Sequence, residues 1–163
     1  MHIAIVSDIH DHRRHLGQAL AQVSDADALI CCGDLCSPFI VVQFGEGFAG
    51  PIHVVFGNND GDLFRITQQA SHFDQMTLHG EFAELTLGGK RIAVNHFPEI
   101  AAALAASDRY DLVCYGHDHR HVITTVGATL LVNPGEVYGG LTGSATYTVY
   151  DTATGRAERR DLG

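Results

Sequence analysis

The chain has 163 residues, 45% of them apolar, a length and composition that suit one domain over 1–163 and exclude a disordered polymer. Its formal net charge of −9 repels polyanions, which argues against general binding of long nucleic acids. No stretch approaches the ~20 apolar residues of a membrane span, and the opening MHIAIVSDIH lacks the basic region and apolar length of a signal peptide, so a soluble cytoplasmic protein is expected.

Residues 2–7 (HIAIVS) read as a buried strand. Residues 13–24 read as an amphipathic helix, because Leu16, Ala19, Leu20 and Val23 recur at helical spacing. A second strand is expected over 27–32, a helix over 38–48, a third strand over 52–56 and a further helix over 60–72. The pattern then changes. Residues 76–79, 82–87 and 90–95 read as strands, the last two joined by a tight Gly88-Gly89 turn. A helix follows over 98–107 with Pro98 near its start. Strands are expected over 111–115, 121–126, 129–133, 144–150 and 156–160, with Thr154-Gly155 turning the last hairpin. Strand–helix alternation followed by a strand-rich half predicts an α/β fold, with two mixed β-sheets packed face to face as a sandwich flanked by helices.

The four cysteines form no Cys-x-x-Cys pair, and Cys31, Cys32 and Cys114 lie inside apolar runs as buried free thiols would. A zinc site from Cys31, Cys32 and Cys36 fits no common spacing. Reduced thiols suit a cytoplasmic protein.

Eleven histidines is a high count, and their positions carry the functional reading. Five apolar runs end in oxygen or imidazole donors. IAIVS leads to Asp8 and His10, LICCG to Asp34, and HVVFG to Asn58, Asn59 and Asp60. RIAV leads to Asn95 and His96, and DLVCYG to His117, Asp118 and His119. Ligands of open α/β sheets bind outside the carboxyl ends of strands, so five such ends can converge on one divalent-cation site. Asp8 and His10 are two apart, and an extended segment would point both the same way. His117 and His119 repeat that spacing, with Asp118 facing away. Gly33, Gly57 and Gly116 each precede a donor, where the chain must turn sharply or approach a ligand closely. Singly, each donor reads as a turn residue, a cap or a surface histidine. Five matching placements together are much harder to explain that way.

In this order, Asp8-x-His10, Gly33-Asp34, Gly57-Asn58, His96 and Gly116-His117-Asp118-His119 resemble the motifs of the calcineurin-like metallophosphoesterases. Asn133-Pro134-Gly135 resembles a late turn motif of the small bacterial and archaeal phosphodiesterases in that family. The resemblance covers nearly the whole chain. It implies two divalent metal ions, manganese first, with iron, zinc, nickel or magnesium also suited to mixed N/O ligands. Asp8, His10 and His119 would hold one ion and Asn58, His96 and His117 the other, with Asp34 bridging both. The catalytic candidates it implies are Asp34, Asn58, Asn59 and His96. A water or hydroxide bridging the metals would attack phosphorus in line, and the substrate would be a small phosphate ester.

Two positions depart from the pattern. Many larger relatives carry His after the Gly-Asn pair, whereas Asn59 cannot donate a proton at neutral pH. Small relatives lacking that His are often phosphodiesterases, so the resemblance favours diesters, and it leaves the proton to His12 or to water on a metal, with His12 itself read as a solvated loop residue. Many small relatives read His-Gly-His where this chain has His96-Phe97-Pro98, so Phe97 either packs in the core or lines the pocket. Arg13 and Arg14 suit a solvated first helical turn at least as well as a phosphate contact. Phe39, Phe44 and Phe48 could form an apolar surface for a partner subunit, but ordinary core packing is the expectation, and His2, His15, His53, His72, His79 and His121 are expected in structural roles. Two alternatives stay open: a protein-interaction scaffold, since a retromer subunit shares this fold, and a phosphomonoesterase. The oligomeric state, a homo-oligomer included, is also open.

Overall fold

The computed structural model describes residues 1–163. Strands β1 (His2–Val6), β2 (Ala28–Cys31), β3 (Ile52–Val54) and β4 (Met76–Leu78) alternate with helices α1 (Arg13–Gln22), α2 (Pro38–Gly47) and α3 (Leu63–Ala70). Then come β5 (Phe82–Leu87), β6 (Lys90–Asn95), α4 (Pro98–Ala105), β7 (Leu112–Cys114), β8 (His121–Val126), β9 (Thr129–Pro134), β10 (Thr146–Asp151) and β11 (Arg156–Asp161). They form a six-stranded sheet ordered β11-β10-β1-β2-β3-β4 and a five-stranded sheet ordered β5-β6-β7-β9-β8. Both are mixed: β1 to β4 run parallel, as do β6, β7 and β9, and antiparallel strands flank them.

Period-two alternation sorts each strand's side chains into two layers. Ile3, Ile5, Ile30 and Tyr150 face the other sheet and pack against Leu85, Ile92, Val94, Leu112 and Val132. Ala4, Val6, Leu29, Ile52 and Val54 face the opposite way, against Leu16, Leu20, Ile40, Phe44 and Ile66 of α1 to α3. On the far side, Ala93, Val113 and Leu131 pack against Ala101 and Ala105 of α4. The central strands are thus covered on both faces, which is why they read as unbroken apolar runs. No helix is long and apolar enough to cross a membrane.

The predicted elements are all present, with shifted ends. The helix expected from residue 60 begins at Leu63, capped by Asp62 Oδ1 accepting from Arg65 N at 3.1 Å. The strands expected over 27–32, 52–56 and 111–115 end one or two residues early, because the chain leaves the sheet to build the loops described below. The Gly88-Gly89 turn has φ of 56° and 76°, the doubly left-handed geometry of a two-residue hairpin. Phe44 and Phe48 are buried, but Phe39 is 70% exposed. The core expectation fails for Phe39 because Ile40, Val41 and Phe44 form the stripe of α2 that meets the sheet, and Phe39 lies off it. Cys31, Cys32 and Cys114 are buried and unpaired.

Candidate active site

The parallel strands of both sheets end at one edge of the molecule. Asp8 and His10 follow β1, Asp34 follows β2, Asn58 and Asn59 follow β3, His96 follows β6, and His117 and His119 follow β7. The structure brings all eight together across the two sheets. Asp8 and Asp34 are 0% and 1% exposed, His96 is fully buried and His119 nearly so.

The convergence does not come from extended backbone. Asp8, His10, Asp34, His117 and His119 have φ of 51°, 44°, 56°, 75° and 60°. All five lie in the left-handed region, which Asp, Asn and His tolerate better than most residues. The expected i, i+2 geometry is therefore corrected: each pair shares a direction because the chain coils tightly off its strand. Tertiary hydrogen bonds hold the first coil, with Asp8 N donating to Gly33 O at 3.1 Å and Ile9 N and His10 N donating to Asp34 O at 3.0 and 3.1 Å. Asp118 points away, as expected, its Oδ1 accepting from Asn133 Nδ2 at 2.6 Å.

The glycines before the donors let the loops meet at contact distance. A Cβ on Gly116 would lie 2.7 Å from Asp8 Oδ2. One on Gly57 would lie 2.8 Å from both Asp34 N and His96 Cε1.

Outer partners fix which ring nitrogen faces inward. His96 Nδ1 is 2.8 Å from the carbonyl of Cys32, which can only accept, so Nδ1 carries the proton and Nε2 points inward. His119 Nδ1 sits 2.7 Å from Glu136 Oε2, and its Nε2 lies 3.5 Å from Asp8 Oδ1. His10 Nδ1 meets Cys36 Sγ at 3.6 Å, and its Nε2 lies 3.8 Å from Asp8 Oδ1 and 3.6 Å from Asp34 Oδ2. His96 Nε2 is 3.5 Å from Asp34 Oδ2 and 3.1 Å from Asn58 Oδ1, which is 2.9 Å from His117 Nδ1. Most of these inward separations are too long for hydrogen bonds. They approach the spacing of atoms sharing one cation, since ligands ~2.1 Å from an ion stand about 3–3.4 Å apart.

The electrostatics agree with that geometry. No Lys or Arg pairs with Asp8 or Asp34, and the groups facing these buried carboxylates are imidazoles, although a buried carboxylate that lacks a partner costs several kcal/mol on the usual scale. His10 Nε2 is buried with no hydrogen-bond partner. The Asp8 carboxylate first, then the Cys36 sulfur, push the His10 pKa up to about 10 against the opposing effect of burial. Burial also works to raise the Asp34 carboxyl, but His96 and Asn59 outweigh it and hold it well below its ordinary value. A cation entering here would displace the His10 proton and meet the ionised Asp34 carboxylate. The donor set fits divalent metals: Asp8, His10 and His119 could share one ion, and Asp34 reaches toward both that group and His96.

Supporting residues surround the donors, and one of them, Glu136, was not singled out from the sequence. Glu136 is fully buried and directly follows the Asn133-Pro134-Gly135 turn. Burial works to raise its carboxyl, yet donors from Thr142 and His119 outweigh it and lower it. The only signal was a carboxylate between an apolar strand and Val137. Asp60 Oδ2 accepts from Asp34 N at 3.1 Å and Gly57 N at 2.7 Å, and its Oδ1 from Cys36 N at 2.7 Å, tying two ligand loops together. Asn59 clasps Asp34 twice, its N donating to Oδ1 at 2.8 Å and its Nδ2 to Oδ2 at 2.7 Å. His12 is the N-cap of α1, accepting from His15 N at 3.2 Å with the two ring centroids 3.9 Å apart at a 35° tilt, which gives it a structural job. Carboxylates that orient a metal-binding histidine affect affinity strongly. Glu136→Gln is therefore expected to weaken metal binding by about 10- to 100-fold, read by titrating Mn²⁺ into the metal-free protein. An unchanged affinity would leave Glu136 a packing residue.

The sequence matches the calcineurin-like phosphoesterase superfamily domain over residues 1–155. It is 31% identical over 156 residues to phosphodiesterase MJ0936 of Methanocaldococcus jannaschii, covering 93% of each chain. The fold superposes on the structure of an archaeal phosphodiesterase with a TM-score of 0.92 at 28% identity, covering 99% of both chains. It also superposes on a Vps29 single mutant from Entamoeba histolytica at a TM-score of 0.68 over the full length of both. At 19% identity that likeness is one of fold alone.

Proposed function

This chain belongs to the calcineurin-like phosphoesterase superfamily and is a phosphate-ester hydrolase, and on that premise we propose that it is a phosphodiesterase working at a binuclear metal centre. The observation that carries this reading is the pair of buried carboxylates, Asp8 and Asp34, ringed by inward imidazole nitrogens and matched by no Lys or Arg. In this reading Asp8, His10 and His119 hold one cation, Asn58, His96 and His117 hold the second, and Asp34 joins both. Two divalent ions bound there would supply charge for the phosphoryl oxygens and lower the pKa of water toward neutrality.

The chain's own residues set the geometry. Asn59 fixes the Asp34 carboxylate through both of its oxygens, so the shared ligand has one orientation. The Cys32 carbonyl and Glu136 lock His96 and His119 with Nε2 inward. Asn59 gives no proton at neutral pH, and His12 is engaged as a helix cap, so neither matches the acid that a poor leaving group needs. A diester substrate is supported by the likeness to phosphodiesterase MJ0936.

The test is metal analysis with matched assays on bis-p-nitrophenyl phosphate and p-nitrophenyl phosphate across Mn²⁺, Fe²⁺, Zn²⁺, Ni²⁺ and Mg²⁺. The reading expects two bound ions and faster hydrolysis of the diester. A preference for the monoester would make the protein a phosphomonoesterase. Full metal occupancy with no hydrolysis of either ester would favour an interaction scaffold.

A further inference from the structure

Phe97 stands beside the ligands of the second cation without being one of them. Its ring centroid lies 5.2 Å from that of His96, edge-on at 81°, and 5.2 Å from that of His117 at 59°. Three features pin it there. Pro98 follows, which holds Phe97 out of the helical region, and its φ and ψ are −93° and 133°. Its N donates to Asn95 Oδ1 at 2.8 Å. The two imidazoles brace the ring from the inside. Packing leaves the residue only half-buried.

Two nearby positions in the fold are also apolar and exposed. Phe82 is paired across the sheet with Asn95, two residues before Phe97, and is 41% exposed. Ile100 stands one turn after it on α4 and is 46% exposed. Scattered apolar residues on a surface need no explanation. An aromatic ring fixed against two candidate metal ligands at the rim of an otherwise polar site is a different case. A phosphodiester has two ester arms, and in the proposed reading an arm on the His96 and His117 side would lie beside this ring.

We propose that Phe97 is a specificity-determining residue whose exposed face stacks on a planar aromatic group, a nucleobase or an aryl ring, carried by one arm of the diester. Stacking suits this role because it recognises any π-face without a hydrogen-bond code, and offset or edge arrangements are the favoured ones. The inference rests on the phosphodiesterase reading and adds a substrate class to it.

The experiment compares three slow diesters as competitors of bis-p-nitrophenyl phosphate hydrolysis: dimethyl phosphate, methyl phenyl phosphate and adenosine 5′-methylphosphate. In the wild type, the aromatic competitors are expected to inhibit about tenfold more tightly than dimethyl phosphate, the worth of one stacking contact. Phe97→Ala is expected to bring the three inhibition constants together, and Phe97→Leu to keep part of the preference, with bound metal unchanged in both. Preference for the phenyl ester alone points to an aryl group, and preference for the adenosine ester to a nucleobase. The same ratio in wild type and Phe97→Ala, or no preference in the wild type, overturns the assignment while leaving the phosphodiesterase reading standing. If the metal-loaded wild type hydrolyses no diester, that reading falls and takes this one with it.

Discussion

Asp34→Ala is expected to lower diester hydrolysis by roughly a thousandfold or more and to remove bound metal with it. Cations ~3.5–4 Å apart repel each other strongly, and a shared anionic ligand with two oxygens is what holds such a pair. In the proposed reading Asp34 would be that ligand, and its Oδ2 lies 3.6 Å from His10 Nε2 and 3.5 Å from His96 Nε2. Effects on folding should be smaller, because two changes oppose each other. The two donors of Asn59 lose their acceptor, which costs about 1–3 kcal/mol where the group is buried. Removing one of two neighbouring buried carboxylates gives some of that back in the metal-free protein. Asp34→Asn keeps the shape and loses the charge, so it separates the two causes. Both variants should fold, and both should lack activity and metal when assayed together. Normal turnover in Asp34→Ala would refute the mechanism.

Gly57→Ala should be nearly as damaging by a different route. Gly57 does not have a positive φ, so the backbone accepts alanine and the cost is steric. The added methyl would lie 2.8 Å from Asp34 N and His96 Cε1, and closer still to Asp34 Oδ1. None of these neighbours is the free end of a flexible chain, since Asp34 and His96 are buried and bonded on their outer sides. Overpacking of this kind costs about 1–3 kcal/mol, which lowers the melting temperature by several degrees for a chain of this size. A ligand pushed aside by about 1 Å can cost on the order of a hundredfold in rate. Gly61→Ala is the control, because a methyl there meets nothing within 4 Å. Thermal melts and kcat/KM for the two variants should differ sharply, and equal behaviour would mean the ligand loops are looser than the packing implies.

The sheets were legible because β1, β2 and β7 are covered on both faces and so carry no polar interruption. The site was legible for a related reason. A donor directly after such a strand has few places to go other than the shared sheet edge, and Asp8, Asp34, Asn58, His96 and His117 all occupy it. What stayed hidden depends on partners distant in sequence. The coil at Asp8 and His10 is set by bonds to Gly33 and Asp34, so no local pattern announces it. Glu136 acquires its role only because the loop after β9 folds under His119, 17 positions earlier. Asp60 was visible as a polar residue, but its job of gathering three backbone N–H groups from two loops was not. Phe39 shows the limit of composition, since apolar character did not tell which side of α2 it takes.

The left-handed coils have a consequence for how such chains diverge. Of the eight non-glycine residues with positive φ, seven are Asp8, His10, Asp11, Asp34, Cys36, His117 and His119, crowded at one end of the molecule. At those positions the main chain itself discourages β-branched or bulky replacements and tolerates aspartate, asparagine, histidine or glycine. A descendant that had stopped turning over substrate would still feel that pressure, so side-chain identity at five of the seven donor positions has two independent causes. Asn58 and His96 sit on ordinary backbone, so no left-handed turn asks for them. Their loss, more than any drift at Asp8 or His119, would be the earliest mark of a lineage that has traded hydrolysis for another occupation.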